Sequence, residues 1–132
     1  MKPVIIESPF KGDRERNLSY ARDLLRFCLE RGEAPFASHL LYTQCLDDDL
    51  PKQRALGIQA GLVWGEKASK SVVGVDLGVS QGMRLGIEHA LDLERPVEFV
   101  SLLEWRGFWP KGQEPSVRPL TLQTREGIEV WR

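Results

Sequence analysis

The sequence predicts an α/β protein with a parallel sheet and helices on both faces, followed by a C-terminal extension. Three observations carry this expectation. Short runs rich in β-branched and apolar residues, at Pro3-Val4-Ile5-Ile6-Glu7, Ser71-Val72-Val73-Gly74-Val75 and Val97-Glu98-Phe99-Val100-Ser101-Leu102, read as buried strands. Between them lie stretches with apolar residues every three or four positions, the pattern of amphipathic helices. The βαβαβαβ order argues for right-handed crossovers between parallel strands.

Taken in order, Pro3 to Glu7 is the first strand, central in the sheet, and Ser8-Pro9 breaks it. The turn Ser8-Pro9-Phe10-Lys11-Gly12-Asp13 offers Gly for close backbone approach, Lys for charge and Asp13 as an N-cap. From Arg14 to Arg31, Leu18, Ala21, Leu24, Leu25, Cys28 and Leu29 mark one face of a helix that Gly32 closes. Ala34-Pro35-Phe36-Ala37 is a brief second strand, ending in Ser38-His39-Leu40-Leu41-Tyr42 and a polar loop with Asp47-Asp48-Asp49. Successive side chains diverge and the EF-hand spacing is missing, so the three Asp read as a solvated loop or helix-start cluster rather than a metal site. A second helix spans Leu50 to Ala68, with Pro51 in its first turn and Leu56, Ala60, Val63 and Trp64 as inward positions. The third strand, Ser71 to Asp76, leads to a third helix over roughly residues 82–93. Glu94-Arg95-Pro96 stops it before the fourth strand.

Past Leu103 the texture changes. Trp105, Phe108 and Trp109 lie among Gly, Pro and charged residues, and Leu120-Thr121-Leu122-Gln123 and Ile128-Glu129-Val130-Trp131 flank Thr124-Arg125-Glu126-Gly127 as a β-hairpin. The aromatics suit a lid, an oligomer contact or a tail folded over the sheet edge. The expected organisation is one α/β domain over residues 1–103, with 104–132 as an extension packed on it.

The totals narrow the class. A chain of 132 residues, 42% hydrophobic and 28% charged, supports one domain with a real core. A net charge of −1 gives no global pull towards nucleic acid or an anionic membrane, so neither a nucleic-acid polymer nor a membrane is an expected partner. Cys28 and Cys45, without a C-x-x-C pair, read as reduced thiols. No apolar run approaches the roughly 20 residues that span a bilayer, and no signal-peptide pattern opens the chain. The expected setting is cytoplasmic. With two histidines and no Cys/His ligand spacing, no metal and no cofactor are expected.

The expected site is the stretch from Asp76 to Ala90, a strand end, a Gly/Ser turn and a helix start in succession. In open α/β sheets ligands bind beyond the carboxyl ends of strands, where free N–H groups at a helix start favour an anion. Neither G-x-G-x-x-G nor a P-loop is present.

Three stretches together are similar to the nucleoside 2-deoxyribosyltransferase-like group, which includes nucleoside 5′-monophosphate N-glycosidases: Ile6-Glu7-Ser8-Pro9-Phe10-Lys11-Gly12, Pro35-Phe36-Ala37-Ser38-His39-Leu40-Leu41-Tyr42, and Ser80-x-Gly82-Met83 running to Ala90 and Pro96. The resemblance covers roughly residues 3–102. It implies a flavodoxin-like, Rossmann-like α/β fold, a nucleoside or nucleotide as small-molecule partner, and a homo-oligomer. It also implies chemistry at the N-glycosidic bond, by hydrolysis or by deoxyribosyl transfer, with a helix Glu attacking the anomeric carbon through an oxocarbenium-like transition state. The alternative is a catalytically inactive nucleotide-binding protein that senses or sequesters its ligand on the same fold.

In this chain the pattern departs at the nucleophile. An ungapped match at Ser80, Gly82, Ala90 and Pro96 puts Gly86 where the family has its Glu, and a second register puts Arg84 there. Glu88 is the nearby carboxylate, but two helical residues amount to a rotation of about 200° and a rise of about 3 Å. Either a late helix start or a bulge swings Glu88 into the site, or it is a surface acid and catalysis is lost. Asp76 is the second catalytic candidate, as an orienting carboxylate or a simple turn acid. The ligand-binding candidates of the first loop are Ser8, Pro9, Phe10, Lys11, Gly12 and Arg14. His39 follows the second strand as a ligand contact, an acid or a structural histidine, and Ser80, Gly82, Met83 and Arg84 form the helix-start group.

Overall fold

The computed structural model describes residues 1–102 and the backbone of 118–121, and it places strands and helices in the expected alternation. Strand β1 (Pro3–Glu7) leads through the Ser8-to-Asp13 turn into α1 (Arg14–Glu30). β2 (Ala34–Phe36) is followed by the single turn α2 (Ser38–Leu41), a 3-10 turn at Tyr42–Gln44, and α3 (Pro51–Gly65). β3 (Lys70–Gly74), α4 (Gln81–Asp92), β4 (Val97–Ser101) and β5 (Arg118–Thr121) complete the order. The sheet runs β2-β1-β3-β4-β5, with the first four strands parallel and β5 antiparallel to β4. The expected flavodoxin-like α/β architecture is therefore the one observed. The rest of the expected hairpin, and Trp105, Phe108 and Trp109, lie outside the described residues.

Alternation along the strands divides the core into two layers. Val4, Ile6, Val72 and Val100 face α1 and pack with its Tyr20, Leu24 and Cys28. Val73, Val97 and Phe99 face the other way, against Met83, Ile87 and Ala90 of α4. Helices on both faces are needed because the strands are apolar on both. Local signals start and stop α1 and α4. Asp13 caps α1 by accepting from the Arg16 N–H at 3.1 Å, and Gly32 takes a positive φ of 79° just beyond its end. Ser80 caps α4 by accepting from the Met83 N–H at 3.3 Å.

Helix α3 presents a different face from the one its hydropathy suggests. Leu56, Val63 and Trp64, expected to point inward, are 56%, 58% and 60% exposed. The inner side carries Gly57, Ile58, Gly61, Leu62 and Gly65. A Cβ on Gly61 would lie 2.7 Å from Cβ of Ser38, so glycine is what lets α3 sit this close to α2. Because small residues line the contact, the large apolar side chains are on the outside and the periodicity misleads.

At the amino ends of the strands, away from the site, Arg31 and Lys70 bracket Glu33 and Glu98 at 2.6–3.3 Å. Among the described residues no helix is long and apolar enough to cross a membrane, and no group of three or more His, Cys, Asp or Glu is placed to hold a metal.

Candidate functional site

A cavity of about 360 Å³ opens at the carboxyl ends of β1 and β3, between the first loop, α2, α3 and the start of α4. Parallel strands direct their carboxyl ends to one edge, and the loops leaving that edge form the walls. Of the residues expected to bind ligand, Ser8, Phe10, Lys11 and His39 reach the cavity from the first two loops, and Ser80, Gly82 and Met83 from the helix start. The Ser8 hydroxyl and Nε2 of His39 are 2.7 Å apart, so strand ends separated by 31 residues hold one polar pair. Burial pushes the His39 imidazole down to about 4, which keeps it neutral at physiological pH.

The remaining expected contacts lie elsewhere. Pro9 is buried beside the wall, and Gly12 is exposed with a positive φ of 97°. Arg14 is 2.8 Å from Asp49 and lies over the Phe10 ring, its guanidinium carbon 5.1 Å from the centroid, so it braces the loop rather than lining the cavity. Arg84 and Glu88 are both exposed on α4 and outside the cavity. The helix runs without a bulge from Gln81 to Asp92, so the rotation between positions 86 and 88 is kept.

Asp76 has a structural set of partners. Its carboxylate accepts from the Tyr20 hydroxyl at 2.5 Å, the Ser101 hydroxyl at 2.7 Å and the Leu102 N–H at 2.8 Å, tying α1 to the end of β4. Gly74 leaves the room that the Tyr20 ring needs, since a Cβ there would sit 2.7 Å from the phenol oxygen. Burial, and then the bond to Asp76, push the Tyr20 phenol above its ordinary range. Asp76→Ala is expected to lower stability by about 3 kcal/mol, because it strands two hydroxyls and an N–H. A urea melt measures this, and an unchanged midpoint would show that the three bonds do not carry the contact.

Three further cavity residues were not among the expected site residues. Arg54, from the first turn of α3, lies against the start of α4, so that a Cβ on Gly82 would be 3.2 Å from its Nη2. Its ion pair with Asp48 is loose at 3.8 Å. Ser38, on the turn of α2, joins the wall beside His39.

Glu7 is the third. It ends β1 on the face opposite Ile6, paired in register with Val73, and is partly open to the cavity. Its carboxylate lies directly over the α-carbon of Gly86, where any Cβ would collide with it. Burial raises the Glu7 carboxyl to about 8, and the charge of Arg95 lowers it only in part. In the sequence Glu7 is a lone acid closing an apolar strand, inside the quoted Ile6-to-Gly12 stretch, and its counterpart is a glycine in mid-helix at position 86.

The fold is similar to that of the 2-deoxyribosyltransferase of the psychrotolerant bacterium Bacillus psychrosaccharolyticus, with a TM-score of 0.57 and 17% identity, covering 79% of this chain and 75% of that one. The Clostridium botulinum CMP N-glycosidase BcmB overlaps with a TM-score of 0.44 and 16% identity, over 73% of this chain and 66% of that one. No curated protein matches the chain. The nucleoside deoxyribosyltransferase-like fold implied by the three sequence stretches is thus the fold of the structure. Residues 2–100 match a family model, and the chain belongs to that family, described as "Domain of unknown function (DUF7768)".

Proposed function

We propose that this protein binds a nucleoside or nucleotide in the 360 Å³ cavity and acts at its N-glycosidic bond, as a hydrolase or a base-exchanging transferase. The observation that carries the reading is the meeting, in one cavity, of groups suited to an anion and groups suited to an acid-assisted bond cleavage. Arg54 lies beside Gly82 in the opening turn of α4, where unpaired N–H groups and the helix dipole favour a phosphate, and Lys11 lines the same cavity. With them are the Ser8–His39 pair and the Glu7 carboxyl. The volume falls within the range of about 300–1,000 Å³ usual for small-molecule sites.

Breaking an N-glycosidic bond develops positive charge on the sugar and negative charge on the base. A neutral imidazole can orient a sugar hydroxyl or the base without adding to the positive charge. The inactive-binder alternative had its support in the missing helix nucleophile, and a carboxyl that reaches the same place from β1 weakens it. A homo-oligomer belongs to the same reading, with exposed Leu56, Val63 and Trp64 as the apolar face available to it.

The test is incubation with nucleosides and their 5′-monophosphates, following free base by chromatography and bound ligand by mass spectrometry. Base release is expected from wild type and equally from Glu88→Gln, because Glu88 lies outside the cavity. Arg54→Ala is expected to raise KM about tenfold for monophosphates and little for nucleosides, as loss of a charge-assisted contact of about 1.4 kcal/mol would. An intact nucleotide retained with no base released would overturn the reading in favour of a binding protein.

A further inference from the structure

A carboxyl set into an apolar strand is costly unless partners offset the loss of water. Among the described residues, no hydrogen bond or ion pair holds the Glu7 carboxyl. Arg95, the cation whose charge reaches it, is otherwise engaged: its Nε donates to the Ser71 hydroxyl at 3.0 Å and its Nη1 to the Gly65 carbonyl at 2.5 Å. The surrounding backbone is cleared on one side, since Gly86 is the residue that leaves room for the carboxyl. On the other side Glu7 borders the cavity that contains Ser8, His39 and Ser80. A group so placed, deep, unpaired and facing a cavity, is organised for chemistry rather than for stability.

We propose that Glu7 is the catalytic carboxyl of this site, giving its proton to the departing base and recovering one from the water that captures the sugar. This rests on the N-glycosidic reading above. As the bond between the anomeric carbon and the base nitrogen breaks, its electron pair leaves with the base and the Glu7 proton caps that nitrogen or one conjugated with it. Water oxygen then bonds to the anomeric carbon, and the surplus proton of that water returns to the Glu7 carboxylate. Nucleoside and water give free base and free sugar, with no other reactant. Held up at about 8 by burial, the free carboxyl is protonated at neutral pH, the form that a proton donor requires.

The test compares wild type, Glu7→Gln and Glu7→Asp on the same panel of nucleosides and monophosphates, with binding measured by equilibrium dialysis. In Glu7→Gln, base release is expected to fall at least about 100-fold, while affinity for the monophosphates changes by less than about threefold, because the amide keeps the shape of the neutral acid. In wild type, kcat/KM is expected to fall on the basic side of about pH 8. Glu7→Asp should retain part of the activity and the basic limb. Wild-type rates in Glu7→Gln, or a wild-type profile flat through pH 9, would overturn the role of Glu7 and leave the glycosidic reading standing. A sugar adduct trapped on Glu7 by a 2-fluoro-2-deoxy nucleoside would overturn proton donation in favour of attack by the carboxylate. No base release from wild type across the panel would overturn both proposals together.

Discussion

Adding a methyl group at position 86 will destabilise this protein, although the same change in an exposed helix would stabilise it. Gly→Ala in a helix interior is worth roughly 1 kcal/mol in favour of alanine. Here the new Cβ meets the Glu7 carboxylate, and overpacking of this kind costs about 1–3 kcal/mol. The expected net effect of Gly86→Ala is a loss of up to about 2 kcal/mol by urea denaturation. In a Glu7→Ala background the obstacle is gone, and the same substitution should become stabilising by up to roughly 1 kcal/mol. The coupling from the double-mutant cycle should therefore equal the overpacking cost, about 1–3 kcal/mol, large for a pair in which one member has no side chain. Additive effects would show that the two positions do not share this space.

The second large effect is on the pH dependence of stability. Glu7 is raised from 4.5 to about 8 in the folded protein, so the folded state binds its proton more tightly than the unfolded chain. That contribution is complete below pH 4.5 and is lost as pH rises towards 8. His39 acts in the opposite direction: its folded value of about 4 lies below 6.5, so its contribution is complete above pH 6.5 and is lost as pH falls towards 4. The two offset each other between pH 4.5 and 6.5, and above pH 6.5 the Glu7 slope stands alone. Wild-type Tm is expected to drop between pH 6.5 and 9, whereas Glu7→Gln should stay nearly flat and melt higher at pH 9, by on the order of 2–4 kcal/mol in stability. Calorimetry at half-unit steps of pH measures this. Parallel curves for the two proteins would mean that the Glu7 carboxyl ionises normally.

These effects centre on a residue that local pattern reading passed over, and the reason is physical. Strands, helices and caps are local, so the runs at Val4-Ile5-Ile6 and Val72-Val73, the Asp13 and Ser80 caps and the closing Gly32 could be read from neighbours in the chain. The helix-start part of the cavity was legible for the same reason, being a strand end followed by a helix start. Two things were not. The inner face of α3 is lined with glycines, whose role is to be absent, and hydropathy gives no weight to absence. Glu7 and Gly86 are 79 positions apart and meaningful only together, one as an acid with nowhere to go in its strand, the other as a gap in its helix. Alignment to a family pattern located the gap but could not say what fills it.

The sheet also bears on solubility during folding. A parallel sheet is slow to assemble and leaves two edge strands able to recruit another chain. Here β5 lies antiparallel along β4 and takes its place as one rim, four residues long with Pro119 within it. The other rim is β2, only three residues long with Pro35 at its middle, and a strand so short, lacking one of its N–H groups, is a poor template for a stranger. Loss of residues 118–121 would uncover the full five-residue length of β4 while leaving the cavity walls in place. The antiparallel strand thus replaces a five-residue edge with a shorter one interrupted by proline, a less ready template for another copy.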